Sequence, residues 1–136
     1  MATRAHNQQD NALIRTYTVA TAAAVKGTPC KFGASDDTMT SAAAGEQAHG
    51  IYLDDGAIGA VVRVAMLAGA SIIPVKVGTA GTATRGGYAE VGTAGFTNRT
   101  IGGGSVARHI SGIFTQSGVA GDFVGLIPLA LPAVSA

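Results

Sequence analysis

At 136 residues the chain is the size of one domain, long enough to bury roughly two-thirds of the surface its unfolded form exposes. Only 12% of the residues are charged while 47% are hydrophobic, against about 25% charged in an ordinary soluble domain, so much of the surface is expected to lie under partners. A net charge of +1, with nine basic residues scattered from Arg4 to Arg108, argues against the concentrated basic patch by which proteins hold nucleic acid directly.

Met1 to Asn11 is polar and lacks the apolar core of a signal peptide. Arg4, His6, Asn7, Gln8 and Gln9 supply donors and acceptors but too little apolar surface to offset the entropy of ordering. This segment is expected to be a flexible arm and a candidate partner-contact arm. Thr16 to Val25 is alanine-rich and has helix propensity. Further on, Cys30 and Phe32 share a face opposite Lys31, as in a short strand. Cys30 is the single cysteine, so it makes no intrachain disulfide, which fits a protein made in a reducing cytoplasm; it reads as a small buried hydrophobe. Asp54-Asp55-Gly56 has turn chemistry. Val61 to Leu67 is apolar at nearly every position except Arg63, the pattern of a strand inside a barrel or under a neighbouring subunit. Ile73, Val75 and Val77 alternate with Pro74 and Lys76 as a half-buried strand does. Gln116-Ser117-Gly118 is another turn, and Phe123 to Leu131 repeats the character of Val61 to Leu67. No apolar run reaches the ~18 residues of a membrane-spanning helix, because Arg63, Pro74, Lys76 and the glycines interrupt each candidate.

These elements form one unit written twice. Gly50-Ile51-Tyr52, Gly56, Gly59, Val62, Val64 and Leu67 align with Gly112-Ile113-Phe114, Gly118, Gly121, Val124, Leu126 and Leu129 at an offset of 62. Upstream, Leu13-Ile14, Lys26-Gly27 and Phe32-Gly33 align with Ile72-Ile73, Arg85-Gly86 and Val91-Gly92 at an offset of 59. The extra residues fall between Gly92 and Gly112, where Gly102-Gly103-Gly104 reads as a lengthened loop. The repeat also decides the helix question. Val75 to Thr84, the counterpart of Thr16 to Val25, follows Pro74 and contains Gly78 and Gly81, which a helix interior resists. Both segments are read as a strand followed by a loop. The expected fold is all-β: a small β-barrel or β-sandwich built from two tandem related β units. Its parts are an arm over 1–11, one domain over 12–131 with repeats at about 12–67 and 71–129, and a tail over 132–136. Gly50, Gly56, Gly59, Gly112, Gly118 and Gly121 are its expected structural turns.

Catalytic constellations are not evident. His6, His49 and His109 lack metal-ligand spacing. Asp36-Asp37 and Asp54-Asp55 match no calcium-loop pattern and read as solvated turn acids. No nucleophile elbow surrounds a serine, and Gly102-Gly103-Gly104-Ser105 lacks the lysine ending of a phosphate loop. The expectation is a non-catalytic protein with no cofactor and no metal.

Val25-Lys26-Gly27-Thr28-Pro29, Ala48-His49-Gly50-Ile51, Gly56 through Val64, and Ala120-Gly121-Asp122-Phe123-Val124 following Gly112-Ile113 resemble the capsid decoration, or cement, proteins of tailed bacteriophages. The resemblance covers about Ala12 to Leu131. It implies a β-barrel-like subunit, commonly trimeric, on the outer surface of a phage head assembled in the host cytoplasm. The implied partners are the major capsid protein, bridged between neighbouring subunits to stabilise the capsid, and further copies of the chain itself, with no direct nucleic acid and no membrane. The alternatives are another phage structural role, in the tail or in head completion, or a β-type surface-binding module.

Overall fold

The computed structural model describes residues 13–68, 71–99 and 107–135. The arm over 1–11, with Arg4, His6, Asn7, Gln8 and Gln9, and the glycine loop at 102–104 lie outside the described residues. Every regular element among the described residues is a strand.

The first half holds β1 (Ile14–Val19), β2 (Pro29–Phe32), β3 (Thr38–Ser41), β4 (Gly50–Tyr52) and β5 (Val61–Met66). They close into a barrel in the order β1-β3-β2-β4-β5. Its pairings are antiparallel except where β1 meets β3 in parallel, Val19 opposite Met39. Thr16 to Val25 is thus strand and then loop, without helix.

The second half holds β6 (Ile73–Lys76), β7 (Thr82–Ala83), β8 (Tyr88–Gly92), β9 (Gly95–Asn98), β10 (Ala107–Phe114), β11 (Gly118–Val119) and β12 (Phe123–Ser135). β6-β12-β10-β8-β9 form a sheet, and β7 pairs with β11. A single parallel bridge from Val77 to Phe96 joins the end of β6 to β9, so this five-stranded sheet curls back on itself as a second, incompletely paired barrel. The second half therefore runs the same circuit as the first, with β6, β12, β10, β8 and β9 in the places of β1, β5, β4, β2 and β3. Registers agree as well. The rung Pro29–Ile51–Ala65 across β2, β4 and β5 has its counterpart in Tyr88–Ile113–Ile127 across β8, β10 and β12.

The interiors correspond position by position. Val19, Ala24, Cys30, Met39, Tyr52, Val62 and Val64 fill the first barrel. Val77, Ala83, Ala89, Phe96, Phe114, Val124 and Leu126 fill the second. Alanine for Cys30 makes room that phenylalanine for Met39 takes up, the kind of compensating swap a packed core tolerates.

The register differs from the sequence alignment in three places. Val19 and Val77 hold the same position, each bonding through its N–H to the carbonyl of the residue before β5 or β12, Ala60 or Asp122. Ile14 therefore corresponds to Ile72 and not to Ile73, because the loop from Gly78 to Gly81 is one residue longer than the loop from Ala20 to Ala22. The β8–β9 hairpin turns through Thr93 and Ala94, tighter than the turn from Gly33 to Asp37. Finally, the segment expected as a tail over 132–136 continues β12 as far as Ser135, paired with Ala107. β6 pairs with β12 only between Phe123 and Leu126. Beyond that point β12 has β10 alone for a described neighbour, an edge that tolerates Pro128 and Pro132.

The two halves share one core. Ile51, Ala65 and Leu67, on the outer wall of the first barrel, join Ala42 and Ala48 in the same cluster as the second barrel's interior. Val61 to Leu67 is apolar on both faces for this reason: Val62 and Val64 fill their own barrel, while Ala65 and Leu67 lie under the other half of the same chain. Backbone bonds cross the junction, from Gly45 N–H to the Val91 carbonyl at 2.9 Å and from Lys76 N–H to the Gly27 carbonyl at 2.9 Å.

Candidate interaction surface

The titratable groups singled out by sequence are dispersed. His6 is outside the described residues. His49 accepts the Phe32 N–H at Nδ1 (3.0 Å) and stacks on the Phe32 ring with centroids 4.4 Å apart; burial, and then the charge of Lys31, lower its pKa. His109 Nδ1 lies 3.3 Å from the Gly45 carbonyl, across the junction of the halves. Asp54 receives Arg63 through Nε (3.0 Å) and Nη2 (2.8 Å) as well as the Arg63 backbone N–H (3.0 Å), and these bonds pull its carboxyl down to about 2. Asp55 caps the Lys26 N–H at 2.7 Å. Asp36 and Asp37 are exposed in the β2–β3 turn. Cys30 is buried, and burial pushes its thiol pKa up, away from reactivity. Among the described residues no group of three or more His, Cys, Asp and Glu is placed to hold a metal.

The six glycines occupy three pairs of matching places. Gly56 and Gly118 pair with Ala24 and Ala83. Gly59 and Gly121 have φ of +91° and +90° and donate to the Val19 and Val77 carbonyls. Gly50 and Gly112 are buried strand residues, where a Cβ would strike Val64 in the first half and the Ile127 carbonyl in the second. Gly50 and Gly112 thus serve strand packing, and turn geometry is not what they provide.

Exposed apolar side chains are spread over both halves, Val61, Val119, Ile58 and Phe123 among them, and two groups stand out for their relation to the junction of the halves. On the wall of the second barrel, Tyr88 (44% exposed), Ile127 (44%) and Leu129 (36%) accompany half-buried Ile113. Ile113 faces Tyr88 on one side and Ile127 on the other, and Leu129 follows two residues along the same face. At one end of the first barrel, Phe32 is 51% exposed, with half-buried Tyr17 6.3 Å away and His49 stacked on it. The sequence signal for the wall was the run from Phe123 to Leu131, apolar on both faces. The aromatic end had none, since Tyr17, Phe32 and His49 come from three separate segments.

No family model matches the chain, and no curated protein sequence matches it. Among solved structures, it is similar to the head fiber gp8.5 N base of bacteriophage phi29, with a TM-score of 0.63 at 14% identity, over 88% of this chain and 98% of that one. At that identity the likeness is one of fold, and it extends over both halves.

Proposed function

We propose that this chain is a non-catalytic phage virion protein that decorates a capsid, binding across neighbouring major capsid subunits on the outside of the head. The observation that carries the reading is the fold shared, over nearly its whole length, with the base of a phage head fiber. The sparse charge and the exposed apolar wall and end agree with a protein whose work is contact. The mechanism is avidity: a homo-oligomer, which we take to be a trimer, engages several capsid subunits at once, and weak single contacts sum through effective concentration. The arm, through Arg4, His6, Asn7, Gln8 and Gln9, adds polar contacts to a neighbour. A second reading, the base of a head-borne fiber, is favoured by the structural neighbour itself, which is a head fiber base.

The test is co-sedimentation of the purified protein with empty, expanded phage heads. Saturable binding with heads that resist heat better supports decoration; protein left in the supernatant at micromolar concentration refutes it. Deleting residues 1–11 tests the arm. Weaker binding is expected, and unchanged affinity and head stability would remove its role.

A further inference from the structure

The junction inside the chain is itself a template for contact between chains. In the first half, the wall rung Pro29–Ile51–Ala65, with Leu67 beyond it, is buried, Ile51 and Ala65 at 0% and 1% exposure. Its cover includes Ile73, Val75 and Val91, residues of β6 and β8 that share the same cluster and are themselves 3%, 0% and 0% exposed. In the second half, Tyr88 and Ile127 of the equivalent rung and Leu129 beyond it are exposed, and Ile113 between them is half-buried. The residues equivalent to the cover are Arg15, Tyr17 and Phe32; Arg15 and Phe32 are exposed and Tyr17 is half-buried at the aromatic end of the first barrel. One chain therefore satisfies the contact once and leaves one unmatched half of it on each barrel. The free wall residues are at least as large as the buried ones they mirror: tyrosine for proline, isoleucine for alanine.

We infer that a second copy of this chain seats the Tyr17–Phe32–His49 end of its first barrel on the Tyr88–Ile113–Ile127–Leu129 wall of the copy before it. The contact is heterologous, head to tail, so it closes into a ring or extends as a row according to the rotation at each step. His49 and Phe32 are already stacked, so the end is pre-organised and loses little side-chain freedom on docking. This deepens the homo-oligomer proposed above and rests on it.

The experiment is sedimentation velocity on the intact chain and two charge insertions at exposed sites, Phe32→Glu on the end and Ile127→Glu on the wall, each checked for an unchanged circular dichroism spectrum and melting profile. Either variant alone is expected to weaken self-association by about tenfold or more. An equimolar mixture should then form dimers and stop, because the intact end of the Ile127→Glu chain still fits the intact wall of the Phe32→Glu chain and each dimer presents only blocked surfaces. Tyr17→Lys and Leu129→Lys repeat the test should either glutamate variant fail to fold. Assembly unaffected by the end variants, or no dimer in the mixture, overturns the head-to-tail geometry while leaving an oligomer in place. A wild-type chain that stays monomeric at tens of micromolar overturns both.

Discussion

Tyr52 and Phe114 occupy the same position in the two barrels, Tyr52 opposite Val64 and Phe114 opposite Leu126, and both side chains are buried. They differ by one hydroxyl, and that of Tyr52 is buried without a hydrogen-bond partner. A buried unpaired hydroxyl costs about 1–3 kcal/mol. Tyr52→Phe should therefore stabilise the chain by about 1 kcal/mol in chemical denaturation. A loss of stability would mean that the hydroxyl is bonded after all.

The same hydroxyl gives an alkaline limit. Burial, and then the neighbouring Cys30, push the Tyr52 pKa from 10.0 up to about 12, and burial pushes Cys30 upward from 9.0. For a group whose pKa is raised by folding, its contribution is complete below the unfolded value and lost as pH climbs towards the folded one. Stability should fall from about pH 9 upward. In Tyr52→Phe the part of that loss lying between pH 10 and about 12 should shrink, and parallel pH–stability curves for the two proteins would contradict this.

At acid pH the sign reverses. Arg63 holds Asp54 at about 2, below its usual 3.8, and Lys31, with the Ala43 N–H, lowers Glu46 from 4.5. Both contributions are present above the unfolded values and fade as pH falls through the folded ones. The pairs are largely exposed, so the effect should be small and screened by salt. Asp54→Asn should flatten the stability profile between pH 4 and 2 at low salt and change it little at high salt. An equal effect at both ionic strengths would point to the backbone cap rather than the ion pair.

Glycines separate into two mechanisms. Gly59 and Gly121 have positive φ with open space where a Cβ would stand, so Gly59→Ala and Gly121→Ala should each cost about 1–2 kcal/mol, from the backbone alone. At Gly112 a Cβ would collide with the Ile127 carbonyl and with Leu126. Gly112→Ala should cost about 3 kcal/mol or more, with overpacking as the cause. Equal losses in thermal denaturation at all three sites would refute the distinction.

The all-β class was legible because Pro74, Gly78 and Gly81 speak against helix in one segment and, by alignment, in its alanine-rich partner. Registers were less so. Glycine spacing aligned Gly56 with Gly118, but nothing local marks the extra residue between Gly78 and Gly81, and a one-residue slip leaves the apolar Leu13-Ile14 and Ile72-Ile73 pairs still superposed. The continuation of β12 to Ser135 was not legible, because its pairing with β10 is a property of the assembled sheet. The candidate surface was half legible. A strand apolar on both faces announces a cover, but identical patterns in β5 and β12 meet opposite fates: Ala65 is covered by the chain itself and Ile127 is not.

The shared core sets an order of events during synthesis. The first barrel has all five of its strands once Met66 has emerged, yet the wall carrying Ile51, Ala65 and Leu67 stays bare until β6 and β8 follow. At about 5–20 residues per second the stretch from Leu67 to Gly92, which carries β6 and β8, takes roughly 1 to 5 s. Throughout that interval an adjacent nascent chain on the same messenger can offer its own second half to the vacant wall. Polysomes packed with this message would then yield entangled, half-exchanged products, and sparse ribosome loading would yield self-contained ones.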